Sequence, residues 1–234
     1  MPRYFEYGQT EVDYLAARDP RLAEAMAAVG HVYRELDDGL FSAVMHHIIG
    51  QQISTAAQRT VWRRMQELLG EVTPATVLAV PDADLQSCGM TFKKVEYLKD
   101  FAHRVDSGEF DLDAVEHMPD AETIQALASL KGIGVWTAEM LLLFCLQRPD
   151  VFSYDDLAIQ RGLRMVYHHR KITRQLFEKY RRRYSPYGSV ASLYLWAVAG
   201  GGVPGFEKDF APLTEAQKKA RAKERARARK ANKL

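Results

Sequence analysis

The sequence feature that most constrains the fold is a glycine turn between two apolar helical segments, within residues 127–164. Gly132 and Gly134 flank Ile133, and this turn is too short to be a loop of its own. Glycine permits a positive φ and lets another backbone approach closely, so the spacing predicts two helices joined by a tight hairpin. The first amides of the second helix carry the positive end of its dipole and could hold one phosphate without reading sequence. A plain helix–helix turn in a bundle is the alternative.

Helical signals also dominate the rest of the chain. Apolar residues make up 47% of the 234 residues, which is enough for a core, and strand-like alternation does not persist beyond a few residues. The pattern therefore predicts an all-α protein of about ten helices, with residues 1–10 as an irregular arm. Residues suited to helix N-termini precede several apolar stripes: Asp19-Pro20, Ser54, Thr73-Pro74 and Thr91.

Cysteine content and hydropathy limit the compartment. Cys88 and Cys145 are the only cysteines, too few for a disulfide scaffold or for ligating an iron–sulfur cluster. The longest apolar run, in Met140–Leu146, is too short to span a bilayer, and the first ten residues lack the apolar core of a signal peptide. We therefore expect a protein that is neither secreted nor bound to a membrane. It would lie in the cytoplasm or nucleoid of a bacterium, or in the nucleus of a eukaryote.

Charge is unevenly distributed behind a net value of +2. Residues 213–234 carry nine Lys and Arg against two Glu and should form a basic, flexible tail, whereas the rest of the chain is net acidic. A second basic segment, residues 161–183, follows the hairpin directly and suits contact with a nucleic-acid backbone. A solvated helix face is the alternative. The bases of this segment, which contains one acid, Glu178, are Arg161, Arg164, Arg170, Lys171, Arg174, Lys179, Arg181, Arg182 and Arg183.

A polar loop interrupts two predicted helices within residues 39–70. It reads Gly50-Gln51-Gln52-Ile53-Ser54, and Ser54 is a good N-cap for the second helix. Taken alone, this is an ordinary loop between helices. Glutamine is long, flat and rich in donors and acceptors, so the same loop could also fill a gap in a stack of bases.

Two adjacent aspartates, Asp155 and Asp156, stand at the start of the helix that carries Leu157, Ile159 and Leu163. The helix dipole favours ionised carboxylates at this end. One aspartate can cap the helix while the other faces a pocket, and the local sequence does not choose between them.

Two motifs together resemble the helix-hairpin-helix (HhH-GPD) DNA glycosylases. The first is Leu-x-x-Leu-Lys-Gly-Ile-Gly-x-x-x-Ala at residues 127–138, and the second is Asp-x-x-Ile-x-Arg at residues 156–161. The match favours the alkylation-repair branch, similar to 3-methyladenine DNA glycosylase II, because Trp136 stands where lyase-competent relatives carry a Schiff-base lysine. The resemblance implies a two-lobed unit over residues 1–212. One lobe would comprise about 36–152, and the other about 1–35 plus 153–212.

The resemblance also assigns catalytic and pocket residues. It makes Asp156 the catalytic carboxylate, which leaves Asp155 as the helix cap. Trp136, Trp196 and Met140 would line the base pocket. The helix that contains Trp196 is rich in small and apolar residues, so plain core is the alternative for its aromatic ring. Met140 stands where at least one relative has an aromatic, which leaves the lesion range open.

DNA contacts follow from the same resemblance. Gln52 would fill the hole left by an extruded base, with Gln51 beside it. Further DNA-binding residues implied by the motifs are Lys131, Gly132, Gly134, Arg161 and Arg164. No metal bound by side chains and no cofactor is expected, apart from one option that the resemblance leaves open, a monovalent cation held by backbone carbonyls of the hairpin.

The resemblance thus implies a monofunctional enzyme that removes 3-methyladenine and 7-methylguanine from double-stranded DNA, acting as a monomer without a membrane. Three rivals stay open. The chain could be a non-catalytic helix-hairpin-helix module that only holds DNA. It could be a glycosylase for another class of lesion, or a lyase-competent glycosylase that needs a reactive lysine.

Overall fold

The computed structural model describes residues 2–212 and position 219, and residues 2–212 form thirteen α-helices and no strand. The all-α expectation is confirmed. The helices are α1 Gln9–Arg18, α2 Pro20–Val29, α3 Leu40–Gly50, α4 Thr55–Leu69, α5 Pro74–Ala79, α6 Asp82–Ser87, α7 Phe92–Asp106, α8 Leu112–His117, α9 Asp120–Ala128, α10 Val135–Phe144, α11 Leu157–Tyr167, α12 Arg174–Tyr184 and α13 Gly188–Gly200.

The helix count exceeds the expected ten partly because α1 and the six-residue α8 carry weak sequence signals. Helix α1 begins at Gln9, so the irregular arm is shorter than expected. Leu15 is the only buried residue of α1, and its apolar stripe is correspondingly thin. The Glu11 carboxylate accepts a hydrogen bond from the Gly8 amide at 2.8 Å and fixes the start of the helix.

The helix starts predicted at Asp19, Ser54, Thr73 and Thr91 are confirmed. The Asp19 carboxylate accepts from two amides of α2, which has Pro20 in its first turn. The hydroxyls of Ser54, Thr73 and Thr91 likewise each accept an amide of the helix that follows. These caps satisfy donors that have no partner inside the helix, so they fix where the chain turns.

The helices pack in two groups. Helix α7 contacts α3, α5 and α6, and α10 contacts α3 and α9. In the second group, α11 packs against α13 and α2, while α1 contacts α2, α12 and α13. Helices α10 and α13 are apolar on all sides, which fits their burial. The exact lobe boundaries stay a prediction, and the basic tail over 213–234 lies outside the described residues apart from position 219.

The described helices include no candidate for a transmembrane span. None of them combines the length and the hydropathy that a transmembrane span requires.

Candidate active site

Asp156 is the N-cap of α11. Its Oδ1 atom accepts hydrogen bonds from the amides of Ala158 and Ile159, both at 2.8 Å. The expectation that Asp155 caps the helix is therefore wrong. A carboxylate has two oxygens and about four lone-pair sites, so one residue can cap the helix and still present an oxygen elsewhere. Asp155 is instead exposed.

Both predicted pocket tryptophans contact this carboxylate. The indole Nε1 of Trp196 donates to Oδ1 of Asp156 at 3.1 Å, and Nε1 of Trp136 donates to Oδ2 at 3.1 Å. Trp136 lies at the start of α10 and Trp196 near the end of α13, so residues far apart in sequence converge on one side chain. The sequence predicted that these residues share a site but did not predict that their N–H groups hold the aspartate.

The charge of Asp156 is held by neutral groups alone. The residue is buried, with 6% of its surface exposed, and the donors to its carboxylate are two backbone amides and two indoles. Among residues 2–212, no Lys, Arg or His forms a salt bridge with it. The carboxylate lies at the positive end of the α11 dipole. The site thus presents an oriented negative charge without a cationic partner.

Close packing of α11 on α13 brings Trp196 to Asp156. A Cβ added at Gly162 would overlap the main-chain carbonyl of Leu195, so only glycine fits at this contact. Leu195 immediately precedes Trp196, so the same contact sets where the indole lies. In the sequence, the only signal for this contact is Gly162 in the middle of a helix.

Other residues of α10 share the side of the helix that carries Trp136. Trp136, Met140 and Phe144 follow one another at a spacing of four residues. Met140 is 3% exposed, whereas Trp136 is 44% exposed. The ring of Phe144 lies 5.3 Å from that of Trp196, centroid to centroid. Helical spacing from Met140 could have identified Phe144, which sequence reasoning missed.

Arg34 is a second residue that sequence reasoning missed. Its guanidinium lies over the ring of Phe144, with Cζ 4.2 Å from the centroid. Burial lowers the pKa of Arg34, although the nearby acids Asp37 and Glu35 act in the opposite direction. No helix or motif in the sequence marks this residue, because it lies in the segment between α2 and α3.

Asp155 lines a different cleft. This cleft, of about 290 Å³, borders another face of α10 and includes Val135 and Glu139 but not Asp156. Burial raises the pKa of Glu139, which accepts a hydrogen bond from the hydroxyl of Ser153. The two adjacent aspartates therefore serve different surroundings.

The polar loop at residues 50–54 reaches the hairpin. Nε2 of Gln51 donates to the carbonyl oxygen of Gly132 at 2.6 Å, and Gln52 is exposed with a φ of 58°. Gly132 has a φ of 83°, and a Cβ there would overlap the ring of Tyr97. Gly134 occupies the N-cap position of α10 and offers no side-chain cap. The hairpin is therefore a tight glycine turn with uncapped helix amides, as predicted.

The predicted DNA-binding cations already have acidic partners. Nζ of Lys131 lies 2.8 Å from Asp100. Two nitrogens of Arg164 each donate to Asp209 at 2.8 Å, and Arg161 lies 3.8 Å from the same carboxylate. The hydrogen bonds from Arg164 hold the pKa of Asp209 below its usual range. DNA contacts by these residues, and a cation on the hairpin carbonyls, stay predictions.

Known proteins with similar sequences and structures belong to the family that the two motifs resemble. The family model described as "HhH-GPD superfamily base excision DNA repair protein" matches residues 45–186. A crystal structure of a DNA-3-methyladenine glycosidase from Bacillus halodurans superposes with a TM-score of 0.76 at 33% identity, covering 85% of this chain and 93% of that one. The protein thus belongs to the helix-hairpin-helix base-excision repair superfamily.

A further similar sequence and a further similar structure come from fission yeast. DNA-3-methyladenine glycosylase 1 of Schizosaccharomyces pombe is 30% identical over 164 residues, which cover 68% of this chain and 72% of the relative. The structure of S. pombe 3-methyladenine DNA glycosylase (Mag1) in complex with abasic DNA has a TM-score of 0.73 at 25% identity and covers 85% of this chain.

Proposed function

We propose that this protein is a monofunctional DNA glycosylase that removes alkylated purines, chiefly 3-methyladenine and 7-methylguanine, and leaves an abasic site in base excision repair. The observation that carries the proposal is Asp156, a buried carboxylate held by two helix amides and two indoles without a cationic partner. Family membership and the similarity to enzymes named for 3-methyladenine support it.

Asp156 would act on the sugar. A base must leave the duplex stack before its glycosidic bond can be attacked, and that bond breaks through an oxocarbenium-like sugar. A carboxylate about 4 Å from this charge, at an effective dielectric of about 20, contributes roughly 4 kcal/mol. That energy corresponds to roughly a thousandfold in rate. The carboxylate of Asp156 would also orient the attacking water.

Aromatic side chains beside Asp156 would suit alkylated purines. A purine alkylated at N3 or N7 is cationic and already a good leaving group, so the enzyme needs no strong general acid. A cation is attracted to the face of an aromatic ring, most strongly to tryptophan. Trp136, with 44% of its surface exposed, offers such a face beside Asp156. Trp196 and Met140 would complete the pocket.

The exposed edge formed by the hairpin and the Gln51–Gln52 loop would hold double-stranded DNA. Amides at the start of α10 suit one phosphate, and Gln52 would enter the minor groove to fill the gap left by the flipped base. One chain supplies every side chain that the proposal uses, so a monomer suffices.

A pair of asparagine substitutions tests the catalytic role. Asp156→Asn keeps an oxygen for the α11 amides but removes the charge, and we expect the single-turnover rate of base release to fall at least about a hundredfold, or about 2.7 kcal/mol. Asp155→Asn is the matched control, because it removes an adjacent, exposed charge, and its rate should stay within about twofold of wild type. The substrate is duplex DNA carrying 3-methyladenine or 7-methylguanine, with released bases identified by mass.

Each outcome of that experiment has a distinct meaning. Full activity of Asp156→Asn, or an equal loss in both variants, contradicts the role of Asp156. If the wild type binds DNA but releases neither base, the protein is a DNA-holding module or a glycosylase for another lesion. A panel of deaminated and oxidised bases then separates these two alternatives.

Borohydride reduction tests the lyase rival. A lyase-competent enzyme forms a Schiff base between a lysine and the abasic sugar, which reduction traps as a covalent adduct. Trp136 holds the position of that lysine in the family, and Lys131 is engaged with Asp100. We expect no trapped adduct, and a trapped one would identify the protein as bifunctional.

A further inference from the structure

Helix α3 ends directly before the loop that carries Gln52, and a lysine from another helix meets that end. Nζ of Lys94 donates to the carbonyl oxygen of Ile49 at 2.8 Å and to that of Gln51 at 2.7 Å. Carbonyls in the last turn of a helix have no partner within it and carry the negative end of the dipole. Lys94 therefore caps the C-terminus of α3.

Helix α7 does not explain the position of this lysine. Lys94 lies in the first turn of α7, where the helix dipole disfavours a positive charge. Among the described residues it forms no salt bridge. Burial lowers its pKa. A desolvated cation whose described partners are two main-chain carbonyls acts on the segment that contains them.

Gln51 is consequently held at two points. Its carbonyl oxygen accepts from Lys94, and its side-chain amide donates to Gly132 in the hairpin at 2.6 Å. The backbone hydrogen bonds of the loop itself are long, 3.4 Å from Gln51 N to Ile48 and 3.4 Å from Ile53 N to Gly50. The short bonds that fix the loop therefore come from other parts of the molecule.

Gln52, the next residue, adopts a conformation that needs such support. Its φ of 58° lies in the left-handed region, which costs a residue other than glycine about 1 kcal/mol or more. Its side chain is exposed. With Gln51 fixed on one side and Ser54 capping α4 on the other, the chain between them has little freedom to relax.

We propose that Lys94 is a positioning residue, which with Gln51 holds Gln52 ready to enter the duplex and joins this loop to the phosphate-binding hairpin as one rigid unit. The inference rests on the proposed function, because it assigns Gln52 to filling the gap left by a flipped base. Lys94 itself touches neither the base nor the sugar. Its effect should appear in the extrusion of a paired base and not in cleavage of the glycosidic bond.

Two lysine variants on the same helix provide the test. Lys94→Met removes the ammonium and keeps the methylene stem. The control on the same helix is Lys99→Met, because Nζ of Lys99 likewise donates to two main-chain carbonyls, those of Leu78 and Val80, and also pairs with Asp82, at a site away from the loop. Single-turnover release of 7-methylguanine is measured from a normal duplex and from a duplex in which the lesion lies opposite an abasic site, where extrusion requires less unpairing energy.

We expect Lys94→Met to lose about tenfold in rate on the normal duplex and less than about threefold opposite the abasic site. Lys99→Met should show no such difference between the two substrates. An equal loss on both substrates, or the same substrate dependence in both variants, would overturn the proposal, because a merely structural lysine predicts either result.

A fluorescence measurement separates this inference from the proposed function. 2-Aminopurine placed beside a stable abasic analogue brightens when it loses stacking, and this signal requires no base release. If the wild type brightens the probe but releases no base, the excision chemistry is wrong and the positioning role is still decided. Brightening reduced in Lys94→Met but not in Lys99→Met supports the role. Equal brightening in wild type and Lys94→Met, or none in wild type, overturns it.

Discussion

Two buried aspartates in this fold do the same local work with different partners. Asp19 caps α2 and Asp156 caps α11, and each accepts two backbone amides through Oδ1. Their exposed fractions are 2% and 6%. At Asp19 the other oxygen accepts from the hydroxyl of Tyr167 at 2.8 Å and from the guanidinium of Arg183 at 2.6 Å.

The donors other than the helix amides distinguish the structural Asp19 from the proposed catalytic Asp156. Arg183 gives Asp19 a permanent cationic partner, and this ion pair joins α2 to α12. The charge of Asp19 is therefore balanced within the protein. Asp156 receives only neutral N–H groups beyond its amides, which orient the oxygens without cancelling their charge. A carboxylate held in this way can respond to a positive charge that develops on a substrate.

The largest effect should come from breaking the structural aspartate. Asp19→Asn removes the partner of Arg183, and we expect the free energy of unfolding to fall by about 3 kcal/mol, the lower end for a broken buried pair because Arg183 is partly exposed. Urea unfolding measures this loss. Base release at a temperature where the variant is folded should match wild type, and a selective loss of rate would place Asp19 in the chemistry.

A smaller effect should follow from removing one indole donor at Asp156, the proposed catalytic residue. Trp196→Phe keeps an aromatic ring against Phe144 but loses the N–H that meets Oδ1 of Asp156. We expect the single-turnover rate to fall about tenfold, or about 1.4 kcal/mol, because the carboxylate is less firmly oriented. An unchanged rate would show that the two helix amides and the indole of Trp136 suffice to hold Asp156.

The smallest effect should come from removing one neutral donor at Asp19. Tyr167→Phe deletes the hydroxyl that donates to Oδ2 of Asp19 and that also pairs with the hydroxyl of Tyr184, and it leaves Arg183 in place. The free energy of unfolding should fall by about 1 kcal/mol, the lower end for a buried polar group that loses its partner, without a change in the rate of base release. Together with Trp196→Phe, this variant asks whether one neutral donor affects stability at one aspartate and rate at the other.

Much of the fold could be predicted because helix caps and apolar stripes are local signals. Asp19, Ser54, Thr73 and Thr91 cap helices as their sequences indicated. Helix α1 was missed over most of its length because a helix with one buried residue leaves almost no periodic pattern.

The sequence predicted which residues would lie together but not the hydrogen bonds between them. The motifs placed Asp156, Trp136 and Trp196 together, but their hydrogen bonds depend on how three helices meet, which no local pattern encodes. The assignment of the cap to Asp155 failed because it treated capping and catalysis as exclusive roles. Phe144 was missed although it follows Met140 at helical spacing, whereas Arg34 was missed because its contact with Phe144 is purely tertiary.

The basic segment after the hairpin shows a further limit of sequence. Within it, Arg164 is bound to Asp209, Arg174 to Glu178 and Arg183 to Asp19. Counting charges within the segment revealed only Glu178, because Asp209 and Asp19 lie far away in sequence. Four of its nine cations, Arg161, Arg164, Arg174 and Arg183, thus have acidic partners within the protein.

The bond between Trp196 and Asp156 also has a consequence for the order in which the site is built. Synthesis proceeds from the N-terminus, so the hairpin and the amides of α11 leave the ribosome before Trp196 does. A nascent or truncated chain that ends before α13 can carry the hairpin, but its carboxylate lacks one of its two indole donors. On the proposed function, full activity therefore requires the docking of α13, and a fragment that ends before α13 would bind DNA but release bases more slowly.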